Sequence, residues 1–301
     1  MKEQFEHFPR SLWWVLIGLT FAWGFNWTAM KVALSEIAPL TFRALCLGLG
    51  SGVLFVFLRA QGQPLGVPKG QWARLAMIAF LSVTCWNVLV VFALTMIASG
   101  RAAILAYTMP AWAIPLAAVF LRERMNGRKL LGLALGMGGM ALLLGDEITN
   151  LRTAPLGSLL VLGAAFTWAL GTVLLKKYPV AMPLPAYAAW VMLLGGVPIL
   201  AGAIAFDLAK ALAGGVSLSL WPALGLAYNV FIAFAWGHWA LFKLATSVPV
   251  SVFSLSMMMT PVLGVFSGMV FLGERPSWAE YTALLLVLGS LLAVMVPQKR
   301  T

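Results

Sequence analysis

The stretch TMPAWAIPLAAVFLRER, residues 108–124, returns 151 positions later as MTPVLGVFSGMVFLGER, residues 259–275. Pro110 and Glu123 stand thirteen residues apart in the first copy, as Pro261 and Glu274 do in the second. Phe120, Leu121 and Arg124 match Phe271, Leu272 and Arg275. A second pair lies upstream in each half. TFAWGFNWTAMK, residues 20–31, and AFTWALGTVLLKK, residues 165–177, align Phe21, Trp23 and Lys31 with Phe166, Trp168 and Lys176 at an offset of 145. Two matches in the same order point to a duplicated unit, and divide the chain at 1–150 and 151–301.

The composition says which solvent this unit was built for. The chain is 62% hydrophobic and 10% charged, where soluble domains carry charge near a quarter of their residues. One water-bounded core could not hide that much apolar surface, so the bilayer has to be the solvent. A helix needs roughly 20 apolar residues to cross it. On that ruler the chain reads as an all-α membrane protein with ten spans, at 12–30, 37–58, 72–96, 101–121, 129–146, 157–175, 185–206, 222–244, 250–272 and 279–297. No small-residue cleavage site follows the first run, which is expected to be a retained helix.

With the amino terminus in the cytoplasm, fourteen basic residues fall inside, among them Arg59, Arg122, Arg128, Lys176 and Lys177. Five fall outside (Lys31, Arg101, Arg152, Lys210 and Arg275), with Arg43 inside the second span. The positive-inside rule then puts both termini in the cytoplasm. The +11 net charge is thereby a topology signal spread over short loops, and no nucleic-acid partner is expected. Five spans per half is an odd number, so the second half starts on the opposite side from the first. Inverted repeats of this kind give many secondary transporters their two mirror-related conformations.

The two halves resemble EamA domains of the drug/metabolite transporter superfamily over nearly the whole chain. Trp23–Gly24 followed by Lys31 is similar to that family's opening motif, Pro39 with Arg43 to its second-span signature, and the proline-to-glutamate runs to its most specific one. The second half departs from the pattern: Gly24 becomes Ala169, and Arg43 has no basic counterpart near Ala189. The resemblance implies a ten-helix exporter of metabolites, often amino acids, in a bacterial inner membrane. The wealth of aromatic residues is closest to the aromatic amino acid exporter branch.

Polar groups are costly in lipid and tend to face the bundle interior or a water-filled cavity. Trp23, Asn26, Trp27 and Met30 share one face of the first helix by their spacing. Trp86–Asn87 in the third span correspond to Gly237–His238 in the eighth. Tyr107 lies three residues before Pro110, and Trp168 is the repeat mate of Trp23. Trp23, Asn26, Trp27, Trp86, Asn87, Tyr107, Trp168 and His238 are therefore the candidate substrate-binding residues. Trp13, Trp14, Trp72, Trp221 and Trp278 lie near span ends and are read as interface anchors. Pro110, Pro115 and Pro261 each remove a backbone hydrogen bond inside a span; kinks follow, with Pro110 and Pro261 as candidate hinges. Gly48/Gly52 and Gly132/Gly136 have the spacing of close helix packing. Glu123 and Glu274 are expected to pair with their neighbours Arg124 and Arg275 at the membrane boundary, and Arg43 to snorkel, pair with a carbonyl or meet a substrate carboxylate.

No acid lies in a span interior, the histidines are only His7 and His238, and Cys46 and Cys85 sit in apolar runs. An enzyme would need clustered titratable groups or metal ligands, so no catalysis, metal or cofactor is expected. No nucleotide-binding motif supplies a pump. The expected activity is secondary transport of small molecules, amino acids first and quaternary or aromatic drugs second, with lipid as the surrounding partner and the monomer as the unit. A non-transporting scaffold is the remaining alternative. With no span-interior carboxylate, the substrate is expected to run down its own gradient or be loosely coupled to protons.

Overall fold

The computed structural model describes residues 10–123, 125–149, 155–207, 218–247 and 259–295. Among them there is no strand. The helical runs are α1 (Arg10–Ala33), α2 (Pro39–Ala60), α3 (Trp72–Met96), α4 (Ser99–Leu121), α5 (Gly127–Thr149), α6 (Leu156–Lys177), α7 (Leu184–Asp207), α8 (220–247), α9 (Met259–Leu272) and α10 (Trp278–Met295). Among the described residues seven helices are long and apolar enough to cross a membrane, and two shorter apolar ones lie within α9 and α10. The long α1 spans 24 residues, about 36 Å at the helical rise. Residues 250–258 of the expected ninth span lie outside the described residues.

The outer surface is apolar, as a lipid-facing surface has to be. Trp14, Val119, Trp221, Phe271, Trp278 and Leu285 are all more than 65% exposed. Such a belt on a soluble protein would aggregate it.

Packing is exchanged between the halves. α1 lies against α8 and α9, and its repeat equivalent α6 lies against α3 and α4. α2 packs on α7, and α5 on α10. The α1–α9 seam is close: Thr28 and Ser267 share a hydroxyl hydrogen bond of 2.7 Å, and a methyl added at Gly24 would stand 2.4 Å from Leu263 Cβ. The α3–α7 seam is as tight at Gly195, where a methyl would lie 2.5 Å from Val83 Cβ. Of the two small-residue spacings, Gly136 does meet a neighbour, since a methyl there would lie 2.7 Å from Ala111 Cβ. Gly48 and Gly52 are a correction. Nothing would come within 4 Å of a methyl at either, because that face of α2 turns away from the bundle.

Among the described residues three helices carry π-wound turns, at Ala203–Asp207 in α7 and, at repeat-matched positions, in α3 and α8. In α3 the π-wound turn covers Phe80–Cys85, and in α8 it covers Tyr228–Trp236. π winding does not satisfy backbone groups as regularly as an α-helix and recurs at functional sites. Here side chains take up the carbonyls: Asn87 Nδ2 donates to Val83 O at 2.8 Å, and His238 Nδ1 bonds Phe234 O at 2.8 Å.

The proline expectation is corrected for Pro110. Rather than kinking a continuous helix, α4 breaks at Tyr107–Thr108 and restarts at Met109, with Pro110 in the first turn of the new segment. Proline is tolerated there because the amide it lacks would have had no intrahelical partner. Pro115 is the interior proline of that segment, and Pro261 is the third residue of α9.

One of the two repeat glutamates differs from expectation too. Glu274 does not rely on Arg275: its carboxylate accepts hydrogen bonds from Ser99 N (2.7 Å), Ser99 Oγ (3.0 Å) and Gly100 N (3.0 Å), with Lys31 Nζ 3.6 Å away. It thus caps the amino end of α4, where free amides favour an anion. Glu123 accepts from Lys176 at 2.6 Å and Lys129 at 2.9 Å; Arg124 lies outside the described residues. Sequence proximity misleads here because the repeat-matched lysines, Lys31 and Lys176, each reach the glutamate of the other half. The bonds from Lys176 and Lys129 hold the Glu123 carboxyl below the usual carboxylate range. Its pairing is therefore present at neutral pH and lost only as the pH falls through that lowered value.

Candidate substrate cavity

Helices of both halves enclose a cavity of about 340 Å³, within the range of small-molecule sites. The exchanged packing creates it, since α1 and α6 each lean on a π-wound helix of the opposite half. All eight residues singled out from sequence line it: Trp23, Asn26 and Trp27 from α1, Trp86 and Asn87 from α3, Tyr107 at the break of α4, Trp168 from α6 and His238 from α8.

Their contacts fall into two related sets. On one wall Trp86 and Trp168 pack with ring centroids 5.1 Å apart and planes 57° apart. On the other, Trp23 meets His238 edge-on at 6.2 Å, and its indole N–H donates to Ala233 O at 3.1 Å. Each set joins the first helix of one half to the third helix of the other. Trp27 is almost wholly buried in the α1–α9 seam, so less of its ring reaches the space. The amide oxygen of Asn26 is buried with no hydrogen-bond partner.

Among the described residues the lining holds one charged residue, Arg43, and no carboxylate. Arg43 is 2% exposed, so the snorkelling expected from its place near a helix end does not occur. Ser82, Thr172, Tyr187, Met192 and Phe234 also line the space, and the sequence reading does not single them out. A signal exists for Tyr187, which the 145 offset aligns with Phe42, the neighbour of Arg43. Phe234 and Met192 look like any core residue in sequence. Among the described residues no group of three histidine, cysteine or acidic side chains could hold a metal.

The arrangement can sequester an amphipathic solute of modest size. Indole faces supply stacking surfaces, side-chain amides and hydroxyls supply orientation, and one guanidinium supplies charge.

Comparisons with known proteins agree on the class. The chain is 29% identical to the uncharacterized transporter YoaV of Bacillus subtilis over 92% of both chains. It is 26% identical to the "Probable amino-acid metabolite efflux pump" of Escherichia coli over 89% of both. A crystal structure of 20% identity superimposes with a TM-score of 0.64, covering 93% of this chain and 96% of that one, which supports the fold alone. The profile of the EamA-like transporter family matches twice, over residues 11–145 and 155–296. Two matched copies, apolar helices on the spanning scale and transporter relatives along nearly the whole length describe one kind of molecule: this chain is a multi-pass integral membrane protein of the EamA-like transporter family.

Proposed function

We propose that the chain is a secondary transporter that exports amino acids, aromatic or other apolar ones, by alternating access in a bacterial inner membrane. In this reading residues 1–150 and 151–301 are inverted five-helix halves, ten spans in all, with both termini cytoplasmic. The observation that carries it is the shared cavity. Eight polar or aromatic residues, chosen from both halves for their intramembrane position, surround one space of about 340 Å³. The exchange of packing partners between α1–α9 and α6–α4 supports the inverted arrangement. The naming of relatives as amino-acid metabolite efflux pumps supports the substrate class.

Counterflow in proteoliposomes tests the activity. Labelled phenylalanine should exchange with no pH gradient, because among the described residues no carboxylate lines the cavity to tie a proton to the cycle. Alanine at Trp86, Tyr107, Trp168 or His238 should lower exchange about 10-fold or more with the protein still folded, each removing a stacking or hydrogen-bonding group. Exchange that stops when the proton gradient is collapsed, solute gradient intact, would refute uncoupled transport. Four variants with wild-type rates would dissolve the site.

Topology has its own test. A single cysteine in the 61–70 loop of a cysteine-free variant should be reached by an impermeant maleimide only after the membrane is opened. Labelling of intact, correctly oriented cells would reverse the proposed orientation.

A further inference from the structure

Two other cations in the bundle, one buried and one partly exposed, have an acid at hand. Arg101 Nε lies 3.0 Å from Glu280, both side chains nearly inaccessible, and Lys31 reaches Ile97 O at 2.6 Å with Glu274 nearby. Arg43 does not. Its guanidinium sits 5.3 Å from the Phe42 ring centroid and 5.6 Å from that of Phe234, and its Nη2 is directed at the thioether sulfur of Met30. Its Nε is buried with no hydrogen-bond partner, and among the described residues no carboxylate pairs with it. Aromatic faces offset part of the desolvation of a cation. A thioether is a weak acceptor, and five N–H donors in a fixed fork are left largely unused. A buried charge in this state is unfavourable until a counter-charge reaches it.

The repeat-matched pair on the π-wound helices has the opposite polarity. A backbone carbonyl can only accept, so the atoms facing Val83 O and Phe234 O must be donors: the Asn87 amide N–H and His238 Nδ1–H. That fixes the Asn87 flip and the His238 tautomer. The atoms left over are Asn87 Oδ1 and His238 Nε2, both acceptors in the neutral ring. His238 stacks on the ring of Phe234 with centroids 5.6 Å apart, the same ring that Arg43 rests on. One cavity therefore holds an uncompensated fork of donors and two acceptors, one of which, on His238, lies beside the phenylalanine ring that Arg43 also meets.

We propose that Arg43 is the specificity-determining residue that binds the substrate's carboxylate, while Asn87 Oδ1 and His238 Nε2 accept hydrogen bonds from its ammonium group. The cavity is thereby assigned to zwitterionic α-amino acids, their side chain directed toward Trp86 and Trp168. This rests on the transport reading above and adds the polarity of the site. Bidentate pairing is what arginine does better than lysine, so charge alone should not replace it. The asymmetry between the halves has a use in this arrangement. Ala188, which lines the cavity at the position matching Arg43, leaves room where a second cation would compete for the carboxylate.

The test compares three solutes in counterflow: phenylalanine, phenethylamine, which lacks the carboxylate, and 3-phenylpropanoate, which lacks the ammonium. Wild type should exchange phenylalanine roughly 10- to 100-fold better than phenethylamine, the worth of a charge-assisted hydrogen bond. Arg43→Gln should lose phenylalanine exchange to the phenethylamine level, and Arg43→Lys should fall between. If phenethylamine is exchanged as well as phenylalanine by wild type, the assignment is overturned, while amino acid transport stands. It is overturned equally if Arg43→Gln, with an unchanged thermal midpoint, lowers both solutes by the same factor. Should Arg43→Gln fail to fold, the wild-type comparison and Arg43→Lys decide. Exchange of 3-phenylpropanoate without phenylalanine would keep Arg43 as the carboxylate site and refute the amino acid reading. Exchange of none of the three would remove both.

Discussion

Replacing Glu274 by alanine should lower the thermal midpoint in detergent by about 5–10 °C, whereas Glu123→Ala should lower it by about 2 °C or less. The two glutamates are repeat mates at the ends of equivalent helices, so sequence alone assigns them equal weight. Their surroundings differ. Glu274 holds two backbone amides and a hydroxyl at the start of α4, with its side chain 12% exposed. Deleting it leaves those donors without a partner where water has little access. Glu123 bridges two lysines, one of them 70% exposed, and water replaces that pairing readily. Glu274→Gln should fall in between, since it preserves shape but turns one acceptor into a donor. A differential scan of the three variants checks this, and equal shifts for both alanine variants would show that the cap contributes nothing of its own.

Gly195→Ala should reduce stability by about 1–3 kcal/mol, and Gly195→Val by more, through overpacking of the α3–α7 seam. The added Cβ would meet Val83 Cβ at 2.5 Å and Ala79 O at 3.0 Å, and neither backbone nor Cβ can swing away. The same shift would strain the bond from Thr84 Oγ1 to Gly195 O, now 2.7 Å. Alanine at Gly48 or Gly52 should be neutral or slightly stabilising, since open space surrounds both and alanine is the better helix former. Folded yield after extraction would measure the contrast. Losses at Gly48 matching those at Gly195 would contradict the packing described.

Much of the fold can be read from the chain because lipid imposes length on apolar runs. The eight cavity residues are legible for a related reason: an indole or amide deep in a span has few places to go. What stays hidden depends on contacts distant in sequence. No pattern of residues announces π winding, which here covers Phe80–Cys85, its counterpart in α8 and Ala203–Asp207 with little composition in common. The spacing of Gly48 and Gly52 says that they share a face but not what that face meets. Glu274 reads in sequence as the partner of its neighbour Arg275, whereas its actual partners lie at positions 31, 99 and 100. Arg43 reads as a helix-end residue, and only the fold reveals it as a cation enclosed without an acid.

The exchanged packing also bears on biogenesis. α1–α5 leave the ribosome first, yet the faces of α1, α2 and α5 are completed by α8, α9, α7 and α10. Until those arrive, the early helices sit in lipid with small, closely fitting surfaces exposed and with Lys31 lacking its acid. The chain is inserted in sequence but can be assembled only as a whole. Its slowest contacts join segments made far apart in time, so quality control in the membrane has to tolerate a half-made protein that looks unfinished until translation is nearly complete.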